Sequence, residues 1–256
     1  MTKIYLVTFL NMIFHFVPFL VVGDPSYEGS LQVVKAYIEG GATMLELGFP
    51  FSDPVADGPV IQAADARALE TGMNTDRAFE FIEEVRGFTE MPINLLLYFN
   101  LVFVYGMERF FARAKAVGVT SVLIADLPVD SLRGLEALDL AKKYGIQMVF
   151  MVSEFTSPDR LKAIIKAEPY FLYLVSQPGV TGVRRDLGDS VGEVVVRLKT
   201  ETEIPVLVGF GVSERAHVDA VKEMGADGVI VGSALVRLIG EGDVDKIGEL
   251  IAEIMV

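Results

Sequence analysis

Short apolar runs alternate with longer amphipathic stretches along almost the whole chain. Eight of these runs have the length and the continuous apolar character of strands that are buried on both faces. The predicted strands are Phe16 to Val22, Thr43 to Leu47, Ile93 to Tyr98, Ser121 to Ile124, Gln147 to Val152, Phe171 to Val175, Pro205 to Val208 and Gly228 to Val231. Eight strand-helix units in 256 residues favour a closed (β/α)8 TIM barrel over an open doubly wound sheet. No linker divides the chain, so residues 1–256 are predicted to form a single domain.

The first apolar run is open to two interpretations. Ile4 through Val22 has the length of a membrane-spanning segment. Polar residues and a proline interrupt it, at Thr8, Asn11, His15 and Pro18. Only Lys3 precedes the run as a basic residue, and no clear cleavage site follows, which weakens a signal peptide. We predict a short apolar N-terminal segment over residues 1–15 that packs on the protein, and a cytoplasmic location; a membrane span is the alternative.

The composition excludes several classes of partner and catalytic site. The net charge of −13 and the absence of a basic cluster disfavour nucleic acid as a partner. Without cysteine there is no disulfide, thiolate nucleophile or cysteine-ligated zinc, and two histidines do not support a histidine metal site or a Ser-His-Asp triad. We therefore expect no metal. His217 lies in the first turns of a predicted helix, where a surface or capping role is expected.

Two carboxylates flank a proline-rich loop that follows the second predicted strand. Glu46 lies in the apolar run Met44-Leu45-Glu46-Leu47, and Asp57 lies at the far end of the loop. Burial of a carboxylate is costly and raises its pKa toward the range that suits proton transfer. A structural acid tied to Arg or Tyr is the alternative for an isolated Glu46. The stiff loop brings a second acid, so the two are candidate catalytic residues. Asp53 alone fits a helix cap or a solvated turn equally well.

Three loops after consecutive predicted strands are rich in glycine. They are Ser176 to Gly182, Gly209 to Ser213, and Gly232 to Leu235. Glycine lets backbone N–H groups approach an anion, and Ser233 is placed to open a short helix whose amino end favours phosphate. Ordinary turn glycines are the alternative. Together the loops match the phosphate site that many barrels have after strands seven and eight.

The run from Leu45 to Gln62, LELGFPFSDPVADGPVIQ, closely resembles the signature of the tryptophan synthase alpha chain family. Further matching segments follow other predicted strands: Pro18-Phe19 with Gly23-Asp24-Pro25, Tyr98-Phe99-Asn100, Ala125-Asp126-Leu127-Pro128, Tyr173-Leu174-Val175-Ser176 with Gly179-Val180-Thr181-Gly182, Gly209-Phe210-Gly211-Val212-Ser213 and Val231-Gly232-Ser233-Ala234. The resemblance covers nearly everything from Phe16 onward. It implies a cofactor-free lyase that cleaves indole-3-glycerol phosphate to indole and glyceraldehyde 3-phosphate.

The resemblance also implies roles for individual residues. Glu46 matches the acid/base that protonates indole C3 and then helps to remove the proton of the glycerol hydroxyl. Asp57 matches the carboxylate that takes charge from the indole N–H, and Tyr173 matches a tyrosine near Glu46. The implied phosphate contacts are Gly182, Gly211, Gly232 and Ser233. The residues expected in the indole pocket are Phe19, Leu97 and Leu123.

The family works as an α₂β₂ complex, in which a beta chain that carries pyridoxal phosphate receives the indole. By resemblance, the second and third loops face that partner, with Asp53 and Asn100 at the interface. The cofactor belongs to the beta chain and not to this one. Gln177-Pro178 departs from the family, where many members have an arginine followed by a small residue.

Other functions compete with this interpretation. A Schiff-base aldolase needs a lysine at a strand end, yet all lysines except Lys3 fall in or beside predicted helices. A different barrel enzyme that binds sugar phosphates would keep the glycine loops but has no need for both Glu46 and Asp57. A non-catalytic barrel that only activates a beta chain would tolerate the loss of either acid.

Overall fold

The computed structural model describes residues 13–175, 189–209 and 211–255. Eight parallel strands follow one another in chain order around a closed barrel, so that the last pairs with the first. They are β1 (His15–Val21), β2 (Leu45–Gly48), β3 (Ile93–Leu97), β4 (Ser121–Ile124), β5 (Gln147–Val152), β6 (Leu172–Leu174), β7 (Val206–Val208) and β8 (Gly228–Val231). The predicted TIM barrel is confirmed.

Helices connect the strands on the outside of the barrel. Within the described ranges they are α1 (Tyr27–Glu39), α2 (Pro59–Glu70), α3 (Thr75–Arg86), α4 (Phe99–Tyr105), α5 (Met107–Ala116), α6 (Leu132–Tyr144), α7 (Pro158–Lys166), α8 (Asp189–Glu201), α9 (Arg215–Glu223), α10 (Ser233–Glu241) and α11 (Lys246–Met255). Several begin at a serine or asparagine whose side chain accepts a hydrogen bond from the first turn, as Ser26 does from the N–H of Gly29 at 3.0 Å. These caps explain where the polar turns end and the amphipathic patterns begin.

The strands separate two apolar layers, because successive side chains of a strand point to opposite faces. Leu45 and Leu47 of β2 pack in the layer between barrel and helices, while Met44 belongs to a smaller cluster of strand residues inside the barrel. Glu46 alternates with these leucines and therefore faces the interior. The predicted strands β4, β5 and β8 have the bounds expected, and the others differ by one or two residues because apolar neighbours such as Phe171 are buried without joining the ladder.

The N-terminal apolar run does not form one helix, because its second half is a strand. His15–Val21 is β1, buried along its whole length, so His15 belongs to the strand and not to the segment predicted for residues 1–15. Residues 1–12 lie outside the described part of the chain, so the packing of that segment and the single domain over residues 1–256 stay predictions. Within the described ranges, none of the helices has the length and apolar character needed to cross a membrane.

A partly buried ion pair ties the end of β1 to the helix that follows the acid-bearing loop. Arg67 of α2 donates to both oxygens of Asp24, at 2.7 Å from Nε and 2.9 Å from Nη2. Asp24 is fully buried; burial raises its pKa, and the hydrogen bond and charge of Arg67 oppose that rise. Gly240 of α10 lies against the Arg67 guanidinium, since a Cβ there would come within 2.9 Å of Nη2. The pair thus fixes α2 and α10 relative to the top of β1.

Candidate active site

Glu46 is held inside the barrel by a neighbouring strand. It lies on β2, is fully buried, and its Oε1 accepts a hydrogen bond from Asn94 Nδ2 of β3 at 2.8 Å. The other oxygen, Oε2, is buried and receives no hydrogen bond from the described residues. A buried carboxylate with one free oxygen is poorly stabilised as an anion. Glu46 therefore favours its protonated form.

The pKa of Glu46 follows from these surroundings. Burial raises it from 4.5 to about 8. The hydrogen bond from Asn94 and the nearby Tyr173 hydroxyl act in the opposite direction, and the negative charge of Asp57 adds to the rise. Tyr173 approaches the carboxylate closely enough to affect its pKa without reaching hydrogen-bond geometry. The result is a carboxylic acid that holds its proton at neutral pH and can exchange it nearby.

Asp57 lies in the loop between β2 and α2, where Tyr98 holds it. The Tyr98 hydroxyl donates to Asp57 Oδ2 at 2.6 Å and accepts from the N–H of Ala56 at 3.0 Å. The Tyr98 ring also stacks on Phe51 of the same loop, with centroids 5.3 Å apart. Burial raises the pKa of Asp57 above its usual 3.8, while the hydrogen bond from Tyr98 lowers it. The hydrogen bond from Tyr98 thus favours the ionised form of Asp57.

Tyr173 occupies space that only a glycine at position 209 leaves open. Tyr173 lies on β6 next to β7, and a Cβ on Gly209 would overlap its ring and hydroxyl. Burial, together with the charges of Glu46 and Asp57, raises the pKa of Tyr173 well above 10. The residue is therefore a neutral phenol near both acids.

Replacing Gly209 by alanine is expected to displace Tyr173 and lower kcat for indole release by between about ten- and a hundredfold, since small misplacements near reacting groups have effects of this size. Overpacking should also cost about 1–3 kcal/mol of stability. Steady-state assays and thermal unfolding would measure both. Gly248→Ala is the control, because a Cβ at Gly248 in α11 meets no atom within 4 Å. Equal activity of the two variants would contradict the packing argument.

Three of the four predicted phosphate contacts follow β7 and β8. Gly232 precedes α10 and provides no side chain to cap it, which leaves the first N–H groups of the helix, beginning with that of Ser233, without a side-chain partner at the cap. Gly211 is exposed, with φ +68°, and a Cβ there meets no atom within 4 Å. Gly182 and the departure at Gln177-Pro178 lie outside the described residues.

The three residues predicted for the indole pocket do not share one location. Leu123 of β4 belongs to the interior cluster. The Phe19 ring fills the space beside Gly48, where a Cβ would lie 2.6 Å from its Cζ, and it approaches Gly232. Leu97 instead belongs to the layer between barrel and helices, while Leu96 contacts both that layer and the interior cluster. The alternation along β3 makes Leu96 the better candidate for the pocket.

The residues predicted for the partner interface are both exposed, and exposed apolar side chains lie in the same two segments. Asp53 lies in the loop after β2, and Asn100 lies in α4, which follows β3. The exposed apolar side chains in the same two segments are Val55, Phe103 and Val104. These loops leave the barrel at the end where Glu46 and Asp57 lie.

Several residues of the site escaped sequence analysis. The sequence places Tyr98 at the end of a predicted strand and in a matching segment without indicating a role, and Asn94 inside an apolar run, where its isolated polar character is the only signal. Asp65 of α2 is also buried, accepts from the N–H of Phe51 at 3.4 Å, and has a pKa raised to about 7 by burial and then by the charge of Asp57. Among the described residues, no group of three or more His, Cys, Asp or Glu side chains is arranged to hold a metal ion.

Residues 12–255 match the family model described as tryptophan synthase alpha chain. The chain belongs to this family. The tryptophan synthase alpha chain of Methanothermobacter thermautotrophicus is 49% identical over 224 residues, which cover 88% of this chain and 82% of that one. The alpha chain of Shewanella amazonensis is 45% identical over 240 residues, covering 93% and 89% of the two chains.

Solved structures agree with this assignment to the tryptophan synthase alpha family. The alpha subunit from Pyrococcus furiosus superposes with a TM-score of 0.87 at 38% identity, over 94% of this chain and 97% of that one. A chain of the α₂β₂ complex from the same organism gives 0.86 at 37% identity, with the same coverage. The predicted family is confirmed, and with it a carbon–carbon lyase of tryptophan biosynthesis. The matches name the family and leave the roles of single residues to be argued from the site.

Proposed function

We propose that Glu46 and Asp57 carry out the retro-aldol cleavage of indole-3-glycerol phosphate in this alpha chain. One observation carries the proposal: Glu46 is fully buried with its pKa raised to about 8, and it lies near enough to Asp57, which Tyr98 holds, for the charge of Asp57 to contribute to that rise. Environments that separate the pKa values of two neighbouring acids assign them different tasks. Glu46 is the proton donor, and Asp57 is the anion.

These two groups account for every proton transfer in the reaction. Glu46 gives its proton to indole C3, which leaves a positive charge on the ring nitrogen beside the Asp57 anion. The Glu46 carboxylate then takes the proton of the glycerol hydroxyl, whose oxygen becomes the aldehyde carbonyl. The electrons of the broken C–C bond return to the ring and neutralise it. Indole and glyceraldehyde 3-phosphate leave, and Glu46 ends in the protonated state in which it began.

The substrate is held at its two ends. We assign its phosphate to the backbone N–H groups at Gly211, Gly232 and Ser233, together with Gly182 by resemblance. An anion at the amino end of α10 would accept hydrogen bonds from the uncapped first turn and interact favourably with the helix dipole. The indole ring would lie between Phe19, Leu123 and Leu96, with Leu96 taking the place predicted for Leu97.

The partner is a tryptophan synthase beta chain in an α₂β₂ complex, as in the Pyrococcus furiosus assembly. Asp53 and Asn100, with the exposed Val55, Phe103 and Val104, supply a surface of the polar and apolar character that such interfaces have. Pyridoxal phosphate would belong to the beta chain, and this chain would use no cofactor. We expect slow cleavage by the isolated chain, acceleration by the beta chain, and a cytoplasmic location.

The kcat/KM of indole release, which reports the pKa values of the free chain, should follow a bell-shaped pH profile. Asp57 must be ionised, so activity is lost as pH falls through its pKa, which is raised above 3.8. Glu46 must be protonated, so activity is lost as pH rises through about 8. Asp65→Asn is the control, because Asp65 has a pKa of about 7 and could be mistaken for the basic limb. A basic limb that disappears in Asp65→Asn would contradict the assignment to Glu46.

The test of the function is indole release from indole-3-glycerol phosphate by the purified chain, with and without a beta subunit. We expect indole in both assays and more of it in the second. A folded chain that releases no indole even with a competent beta subunit would contradict the proposed function. Two rival functions would then remain. Activity on another sugar phosphate would support a different barrel enzyme, and beta-chain activation without cleavage would support the non-catalytic role.

A further inference from the structure

A buried row of polar side chains links Glu46 to the two strands beside it. Ser121 Oγ of β4 donates to Asn94 Oδ1 at 2.8 Å, and Asn94 Nδ2 of β3 donates to Glu46 Oε1 at 2.8 Å. All three residues are fully buried. Barrel interiors are usually filled by branched apolar side chains, and polar groups there are costly unless their partners are in place. Packing alone therefore does not account for Asn94 and Ser121.

We propose that Asn94 and Ser121 are positioning residues that hold Glu46 by Oε1 and reserve Oε2 for the proton that is transferred to the substrate. The inference rests on the proposed role of Glu46 as the acid. It adds two residues to the machinery, neither of which touches the reacting atoms.

The direction of the hydrogen bonds supports this assignment. The Asn94 NH₂ group has no lone pair to accept a proton, so the Glu46 proton does not reside between Oε1 and Asn94. Ser121 donates to the carbonyl oxygen of Asn94 and so keeps its NH₂ group turned toward Glu46. Oε2, to which the described residues donate no hydrogen bond, is the oxygen left to carry the proton.

The row also sets how strongly Glu46 holds that proton. The titratable groups that face Glu46 are Asp57 from the loop after β2 and Tyr173 from β6, while β3 and β4 present the neutral Asn94 and Ser121. Donation from Asn94 favours the ionised form and lowers the pKa of Glu46 against the effect of burial. Loss of this donor must raise that pKa further and move the basic limb of the kcat/KM profile to higher pH.

Asn94→Leu and Ser121→Ala test the proposal. In Asn94→Leu we expect kcat to fall about tenfold or more and the basic limb to rise by about one pH unit, the effect of losing one hydrogen bond to a charged group. Ser121→Ala should also lower kcat and raise the pH of the basic limb, each by a smaller amount. The double variant should be no worse than Asn94→Leu, because both changes disable one row. KM should change much less than kcat.

A readout without turnover separates positioning from loss of structure. The carboxyl carbon of Glu46, followed by ¹³C NMR and assigned with Glu46→Gln, should titrate at higher pH in both variants. Thr43→Val is the matched control. Thr43 precedes β2, the strand that carries Glu46, and hydrogen-bonds Phe16 and His15 away from the acids. Its loss should affect stability and leave both the Glu46 titration and the pH profile of activity unchanged. If Asn94→Leu does not fold, Ser121→Ala provides the same readouts.

Two outcomes can be told apart. Wild-type chain that releases no indole in the presence of the beta subunit would overturn the proposed function itself. An active wild type, with variants whose Glu46 titration and basic limb stay where they are, would overturn the positioning role alone.

Discussion

Glu46→Gln is expected to lower kcat for indole release by about 10³-fold, within the range that general acid–base groups contribute. Glutamine has nearly the shape of glutamate and keeps an oxygen to accept from Asn94, so the row of hydrogen bonds survives. It cannot give a proton to indole C3 or take one from the glycerol hydroxyl. KM should change little, because the phosphate and the ring are held by other residues. The basic limb near pH 8 should disappear from whatever activity remains.

The same substitution should stabilise the fold at alkaline pH. The folded pKa of Glu46 is raised from 4.5 to about 8, so its favourable contribution is complete below about pH 4.5 and is lost as pH rises through 8. Glutamine does not ionise and removes this loss. Glu46→Gln should therefore melt at a higher temperature than wild type at pH 8 and show a smaller difference near pH 5. A catalytic acid that is costly to bury is an expected exchange of stability for activity.

Glu80→Gln is the control for this prediction, because Glu80 is exposed on α3 and undergoes the same chemical change. Its kcat and its melting curves should match those of wild type. Retention of more than about a tenth of the activity by folded Glu46→Gln would exclude Glu46 as the main acid.

Pattern alone predicts the barrel because its strands are buried on both faces and its helices on one. Runs such as Gln147–Val152 end at their predicted bounds, since polar turns follow them directly. The same double burial hides which face each strand residue takes. Ile93–Leu97 reads INLLL, apolar on both sides, so Leu96 and Leu97 are equivalent in the sequence. Only the register of β3 against β2, which pairs Asn94 with Glu46, distinguishes them.

The residues of the active site also fall into those that the sequence identifies and those that only the fold brings together. Glu46 is visible in the sequence because acids are rare in apolar runs, and Asp57 because the stiff loop after that run brings a second acid; the family signature surrounds both. Tyr98 is not visible, since its bond to Asp57 joins residues 41 positions apart and depends on how the loop folds over the barrel. Ser121 likewise acquires its partner only through strand pairing. Interactions across the barrel are the part that one-dimensional patterns leave out.

Asp57→Asn is expected to lower kcat by about 10²- to 10³-fold, the usual effect of removing one preorganised group that stabilises charge in a transition state. The amide can still accept from the Tyr98 hydroxyl, so the loop and its stack on Phe51 should stay in place. What is lost is the negative charge beside the ring nitrogen. Substrate binding should weaken much less than turnover, because the charge develops only as C3 is protonated. Steady-state kinetics with purified variants would measure both effects.

Tyr98→Phe separates the charge of Asp57 from its position. Removing the hydroxyl keeps the stacked ring but takes away the donor that lowers the pKa of Asp57, so the acid limb of the kcat/KM profile should move to higher pH. At neutral pH the loss of kcat should be smaller than in Asp57→Asn. Asp53→Asn changes an exposed acid of the same loop, four residues away in the sequence, and should leave the lyase activity of the isolated chain unchanged. Equal losses in Asp53→Asn and Asp57→Asn would mean that the loop needs negative charge in general, and Asp57 would then have no specific place opposite Glu46.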